Sequence, residues 1–102
     1  MDAAEVLVSV VRQVFSGAKQ VETPGGLVPV GKTPSKSLLR VEFSLEGHPV
    51  VGIEQNPHTA SQWAKLARAG RKVMQFRDAG TGRYIANVVD GKVKFYGRKL
   101  GK

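Results

Sequence analysis

The chain has 102 residues and 11.0 kDa, with 41% hydrophobic residues; that fits one domain with its own core and excludes a disordered tail. Sixteen Lys and Arg against eight Asp and Glu give a net charge of +8 and a pI near 10.2, which points to a nucleic acid or another anionic partner. The absence of cysteine excludes disulfide scaffolds and zinc–thiolate sites, and no apolar run approaches the ~20 residues of a spanning helix.

Asp2 and Glu5 stand where a signal peptide would carry bases, so an intracellular, cytoplasmic protein with no membrane association is expected. The charge is lopsided. Residues 1–51 hold five basic and five acidic side chains, which cancel. Residues 52–102 hold eleven basic and three acidic, so the whole excess lies in the second half and predicts a positive face.

In chain order, residues 2–16 read as a helix, with Asp2 as N-cap, Glu5 three residues on, and Gly17 as the stop. Its apolar positions form two stripes: Ala3, Leu7, Val10, Val11 and Val14, and Ala4, Val8, Val11 and Phe15. One stripe suffices to cover the domain's own sheet, leaving the other for a neighbouring subunit; a helix wholly within its own core is the alternative. Residues 17–37, punctuated by Pro24, Gly25, Gly26, Pro29, Gly31 and Pro34, predict a long irregular connection with one short extended piece at Leu27–Val30, and it carries Lys32 and Lys36.

Residues 38–46 alternate as a half-buried strand, and Pro49–Glu54 returns from the turn at Glu46–His48 to complete a hairpin. Asn56 and Pro57 open a second helix that puts Ala60, Trp63, Ala64 and Ala67 on one face and ends at Gly70. Lys72–Arg77, Arg83–Val89 and Lys92–Tyr96 complete a meander of strands. The predicted fold is α+β, in the order α-β-β-α-β-β-β, with a mostly antiparallel sheet and helices packed on one face.

The Asp90-Gly91 turn sets a register. It pairs Val89 with Lys92, Asn87 with Lys94 and Ile85 with Tyr96 on one face; strict alternation puts Val88, Val93, Ala86, Phe95 and Tyr84 on the other, core-like face. The first face sets lysines beside an aromatic ring, which suits single strands: cations follow phosphates and bases stack on rings. Phe76 falls in the core or beside Ile85 and Tyr96, according to how the loop at residues 79–82 is counted. Trp63 is read either as core or as a base anchor. The candidate nucleic-acid contacts are Lys32, Lys36, Trp63, Arg71, Lys72, Phe76, Arg77, Arg83, Tyr84, Lys92, Lys94, Tyr96 and Arg98. An ordinary solvated sheet face with edge lysines is the bland alternative.

Residues 26–33 match the G-x-x-x-x-G-K-[ST] phosphate-loop pattern, but Pro29 removes an N–H, and neither a strand before nor a helix after is in prospect. His48 and His58 lack partners for a metal site, no cluster of acids suits a two-metal nuclease, and no catalytic residue, cofactor or metal is assigned.

Four strings, Val50-Val51-Gly52-Ile53-Glu54-Gln55-Asn56-Pro57, Ser61-Gln62-Trp63-Ala64-Lys65-Leu66-Ala67-Arg68-Ala69-Gly70, Lys72-Val73-Met74-Gln75-Phe76-Arg77-Asp78 and Gly82-Arg83-Tyr84-Ile85-Ala86, resemble the archaeal ThermoDBP-related single-stranded DNA-binding proteins. The Gly, Val, Arg and Ala bias suits a thermophilic archaeon. The resemblance covers residues 38–97 and implies an α+β domain outside the OB-fold. It further implies sequence-independent binding of single strands in a cleft with an aromatic or apolar floor and basic edges, and assembly into homo-oligomers. The long C-terminal heptad helix that some relatives use to dimerise is lacking, which leaves the first helix as the candidate for assembly. The expected function is non-enzymatic binding of single-stranded DNA, protecting or organising it. An RNA-binding module or small ribonuclease using His58, and a basic partner of an acidic protein, are the alternatives; charge and stacking do not read the 2′-hydroxyl.

Overall fold

A computed structural model describes residues 2–34, 37–54 and 73–96. They form one helix and one antiparallel sheet of seven strands in sequential order. The chain is therefore mostly β with a helix. The second helix expected over residues 56–70 lies outside the described residues.

Helix α1 spans Ala3–Phe15 and begins with a complete capping box: Asp2 Oδ1 accepts from the Glu5 N–H at 2.8 Å, and Glu5 Oε1 accepts from the Asp2 N–H at 3.3 Å. Val6, Leu7, Val10, Val11 and Val14 are buried. Val8 and Phe15 also pack against the core, so most of the second apolar stripe is used within the chain's own fold.

The expected irregular connection is corrected: it folds as a hairpin of β1 (Gln20–Thr23) and β2 (Gly26–Lys32). β2 pairs through residues 26–29 with β1 and through residues 30–32 with β3 (Leu39–Leu45). Pro29 sits at the handover between the two partners, where its missing N–H interrupts neither ladder. The same strand disposes of the phosphate-loop match, since Gly26–Lys32 is extended and cannot cradle an anion with its N–H groups.

The remaining strands are β4 (His48–Glu54), β5 (Val73–Asp78), β6 (Tyr84–Val89) and β7 (Lys92–Phe95). Two tight turns, Glu46-Gly47 and Asp90-Gly91, have both residues at positive φ, the conformation whose twist suits two-residue hairpins. The register expected across the second of them holds: Val89 opposes Lys92, Val88 Val93, Asn87 Lys94 and Ala86 Phe95.

The core lies between α1 and one sheet face. It includes Val21, Val41, Phe43, Leu45, Val50, Met74, Phe76, Ala86 and Val88. Gly52 opposes Phe76, whose ring lies over it, and Phe43 meets the same ring edge-on at 6.2 Å between centroids. One flank of α1 borders β1 and β2, the other β7. Seven flat strands at ~4.8 Å spacing would span roughly 29 Å, far wider than a helix of about 10–12 Å. The sheet therefore curls round α1, and its other face is convex.

Candidate nucleic-acid interface

The registers align side chains of the convex face in two rows running across the strands. The first is Arg40, Ile53, Gln75, Asn87 and Lys94, each opposite the next. The second is Glu42, Val51, Arg77 and Tyr84. Lys92 adjoins them opposite Val89, and the Tyr96 N–H donates to the Ile85 carbonyl at 2.7 Å, which extends the ladder past β7.

Tyr84 reaches this face through a β-bulge. Phe76 pairs with Ala86 and Arg77 with Tyr84, so Ile85 is an extra residue in β6. This corrects strict alternation, which puts Tyr84 in the core: it is 54% exposed, one of two large hydrophobic residues so open among the described residues. The Arg77 guanidinium lies over the Tyr84 ring, 4.7 Å from its centroid. Tyr96, half-buried, meets the ring at 6.1 Å and a 59° tilt. The result is an aromatic corner with a cation stacked on one wall.

Polar contacts fix this corner. Gln75 Oε1 accepts from Arg77 Nε at 2.9 Å and from its Nη2 at 2.7 Å. Asn87 Nδ2 donates to the Tyr96 hydroxyl oxygen. Arg40 and Glu42, two residues apart on β3, form an exposed ion pair at 3.4 Å that offsets one positive charge. Lys92 and Lys94 are exposed. Val51 and Val73 on this face are buried, while Ile85, the extra residue of the bulge, belongs to the core cluster with α1.

At the loop between β5 and β6, Asp78 Oδ1 accepts from the N–H groups of Gly80 and Thr81 at 2.8 and 2.9 Å. Those bonds hold the Asp78 carboxyl below the ordinary aspartate range. Arg83 closes this loop, its carbonyl accepting from the Asp78 N–H at 2.8 Å, and is exposed beside Tyr84.

The structure thus brings together Arg77, Tyr84 and Tyr96, with Arg83 at the margin, and places Lys94 and then Lys92 farther along β7 on the same face. Phe76 is corrected: it is fully buried against Phe43 and Gly52 and offers no stacking surface. Lys32 is exposed at the end of β2. It shares the alternation of Val28 and Val30, which pack toward the core, so it does not join the Arg77 rows. Lys36, Trp63, Arg71, Lys72 and Arg98 lie outside the described residues. Arg40 and Gln75 belong to the face and were not among the expected contacts; their alternation with Val41 and with Met74 and Phe76 is the signal that marks them. Among the described residues, no group of three or more His, Cys, Asp or Glu is placed to hold a metal ion, and no helix is long and apolar enough to cross a membrane.

Comparison with known proteins yields no match to a family model, a curated protein or a solved structure.

Proposed function

We propose that this chain is a non-enzymatic, intracellular protein that binds single-stranded DNA without sequence preference, protecting or organising it. The observation that carries the reading is the corner of Arg77, Tyr84 and Tyr96, with Lys92 and Lys94 on the neighbouring strand. An exposed ring on a cationic face serves a base and its phosphates together, and neither needs a particular sequence. Support also comes from the resemblance of residues 38–97 to the archaeal ThermoDBP-related proteins and from the concentration of charge in the second half of the chain. The homo-oligomer implied by that resemblance belongs to the same proposal. Ala4 of α1, beside a groove bordered by Gly91 and Val93, is the position of the second stripe left for it.

Titration with oligo-dT over a salt series tests the reading. Affinity falls with salt at a log–log slope of about −0.7 per phosphate contact. Tyr84→Ala loses ~1–3 kcal/mol of binding, the value of one stacked base. No binding at low salt, or binding indifferent to salt, refutes it; tighter binding to oligo-U moves the assignment to RNA.

A further inference from the structure

Two amides at the centre of the convex face remain without a role. Gln75 and Asn87 are direct cross-strand partners on β5 and β6. They do not bond to each other. Each turns instead to one wall of the aromatic corner: Gln75 to Arg77 and Asn87 to Tyr96. Asn87 is 1% exposed, and its Oδ1 has no hydrogen-bond partner. A buried amide with an unmet acceptor costs stability that Val or Leu would not cost at the same place. The useful half of Asn87 is therefore its Nδ2.

We infer that Arg77, Tyr84 and Tyr96 form a subsite for one nucleotide unit, an unpaired base with its adjoining phosphodiester, and that Gln75 and Asn87 are its positioning residues. This rests on the single-strand reading above. Gln75 engages the side of the guanidinium, Nε and Nη2, and leaves the Nη1 side for a phosphate. With Arg77 covering one face of the Tyr84 ring, a base stacks on the ring's exposed remainder. With the Asn87 amide oriented so that Nδ2 donates to the Tyr96 oxygen, the phenolic hydrogen points away from Asn87 and can donate to a ligand oxygen. Both amides act before binding, by removing freedom from side chains that a ligand would otherwise have to order.

The experiment compares oligo-dT with an abasic strand of equal length, each over a salt series. Its proteins are wild type, Gln75→Met, Arg77→Ala, the double variant of those two, and Tyr96→Phe. Methionine matches glutamine in volume and keeps the strand packed. Wild type is expected to prefer oligo-dT. Gln75→Met weakens both strands by about 3- to 10-fold, as loss of one charge-assisted contact predicts, and makes the slope shallower by about 0.7. The double variant binds no worse than Arg77→Ala, since Gln75 acts through Arg77. Tyr96→Phe weakens both strands about 3-fold at unchanged slope, because the donor it removes is neutral. As a readout independent of affinity, the Arg77 Nε–H resonance is slow to exchange in the free protein and fast in Gln75→Met. If wild type binds but Gln75→Met matches it, or losses add in the double variant, the role of Gln75 is overturned. If Tyr96→Phe binds as wild type, the role of Asn87 falls. If wild type fails to bind at low salt, the single-strand reading itself fails, and this inference with it.

Discussion

Phe76 and Gly52 show how one residue decides what another is for. A Cβ built on Gly52 would sit 2.5 Å from Phe76 Cε1, well inside contact distance. The glycine is there to admit the ring, and the ring fills the space a side chain would take. Gly52→Ala is expected to destabilise the fold by about 1–3 kcal/mol, the usual cost of overpacking. In urea this lowers the unfolding midpoint at unchanged slope; an unchanged midpoint contradicts the packing. The two placements that periodicity left open for Phe76 differ by one residue of loop, which local sequence does not determine. Its fate was set by Gly52, a residue on another strand. Tyr84 is the opposite case: alternation alone buries it, and a single extra residue in β6 brings it out beside Arg77.

At the scale of elements, the signals that are local were legible. The capping box at Asp2 and Glu5, the two-residue turn at Asp90-Gly91 and the alternating strand at 39–45 all have causes within a few residues. The hairpin of β1 and β2 was hidden because its Gly and Pro residues look like loop punctuation. Partners on both sides make it a strand. One of its devices comes from the helix. Gln13 Oε1 accepts from the Glu22 N–H at 2.8 Å, and Gln13 Nε2 donates to the Glu22 carbonyl at 3.2 Å, so a side-chain amide pairs with the free edge of β1 as a neighbouring strand would. That blunts an edge otherwise open to other chains. Gln13→Ala should cost about 1–2 kcal/mol, from two bonds worth ~1 kcal/mol each. Amide exchange at Glu22 should quicken while β5 and β6 keep their protection; unaltered exchange at Glu22 argues against the clamp.

For the molecule as a whole, the decisive quantity is where the excess charge sits. Lys92 and Lys94 stand on β7, exposed and two residues apart, on the same face as Arg77 and Arg40. Replacing both with glutamine should flatten the salt dependence of oligo-dT binding by about 1.4 in slope, two phosphate contacts at ~0.7 each, with little change in thermal stability. An unaltered slope would show that the strand runs elsewhere. The basic second half, the α+β composition and the face shared by Asn87, Lys94 and Tyr96 follow from charge counting and a period of two, so the amino-acid order alone determined them. The curl of the sheet round α1, the bulge that exposes Tyr84, the burial of Phe76 and the amides that hold Arg77 and Tyr96 were decided only by the tertiary structure. Each depends on contacts between strands or with the helix, and no local pattern encodes a distance between residues far apart in the chain.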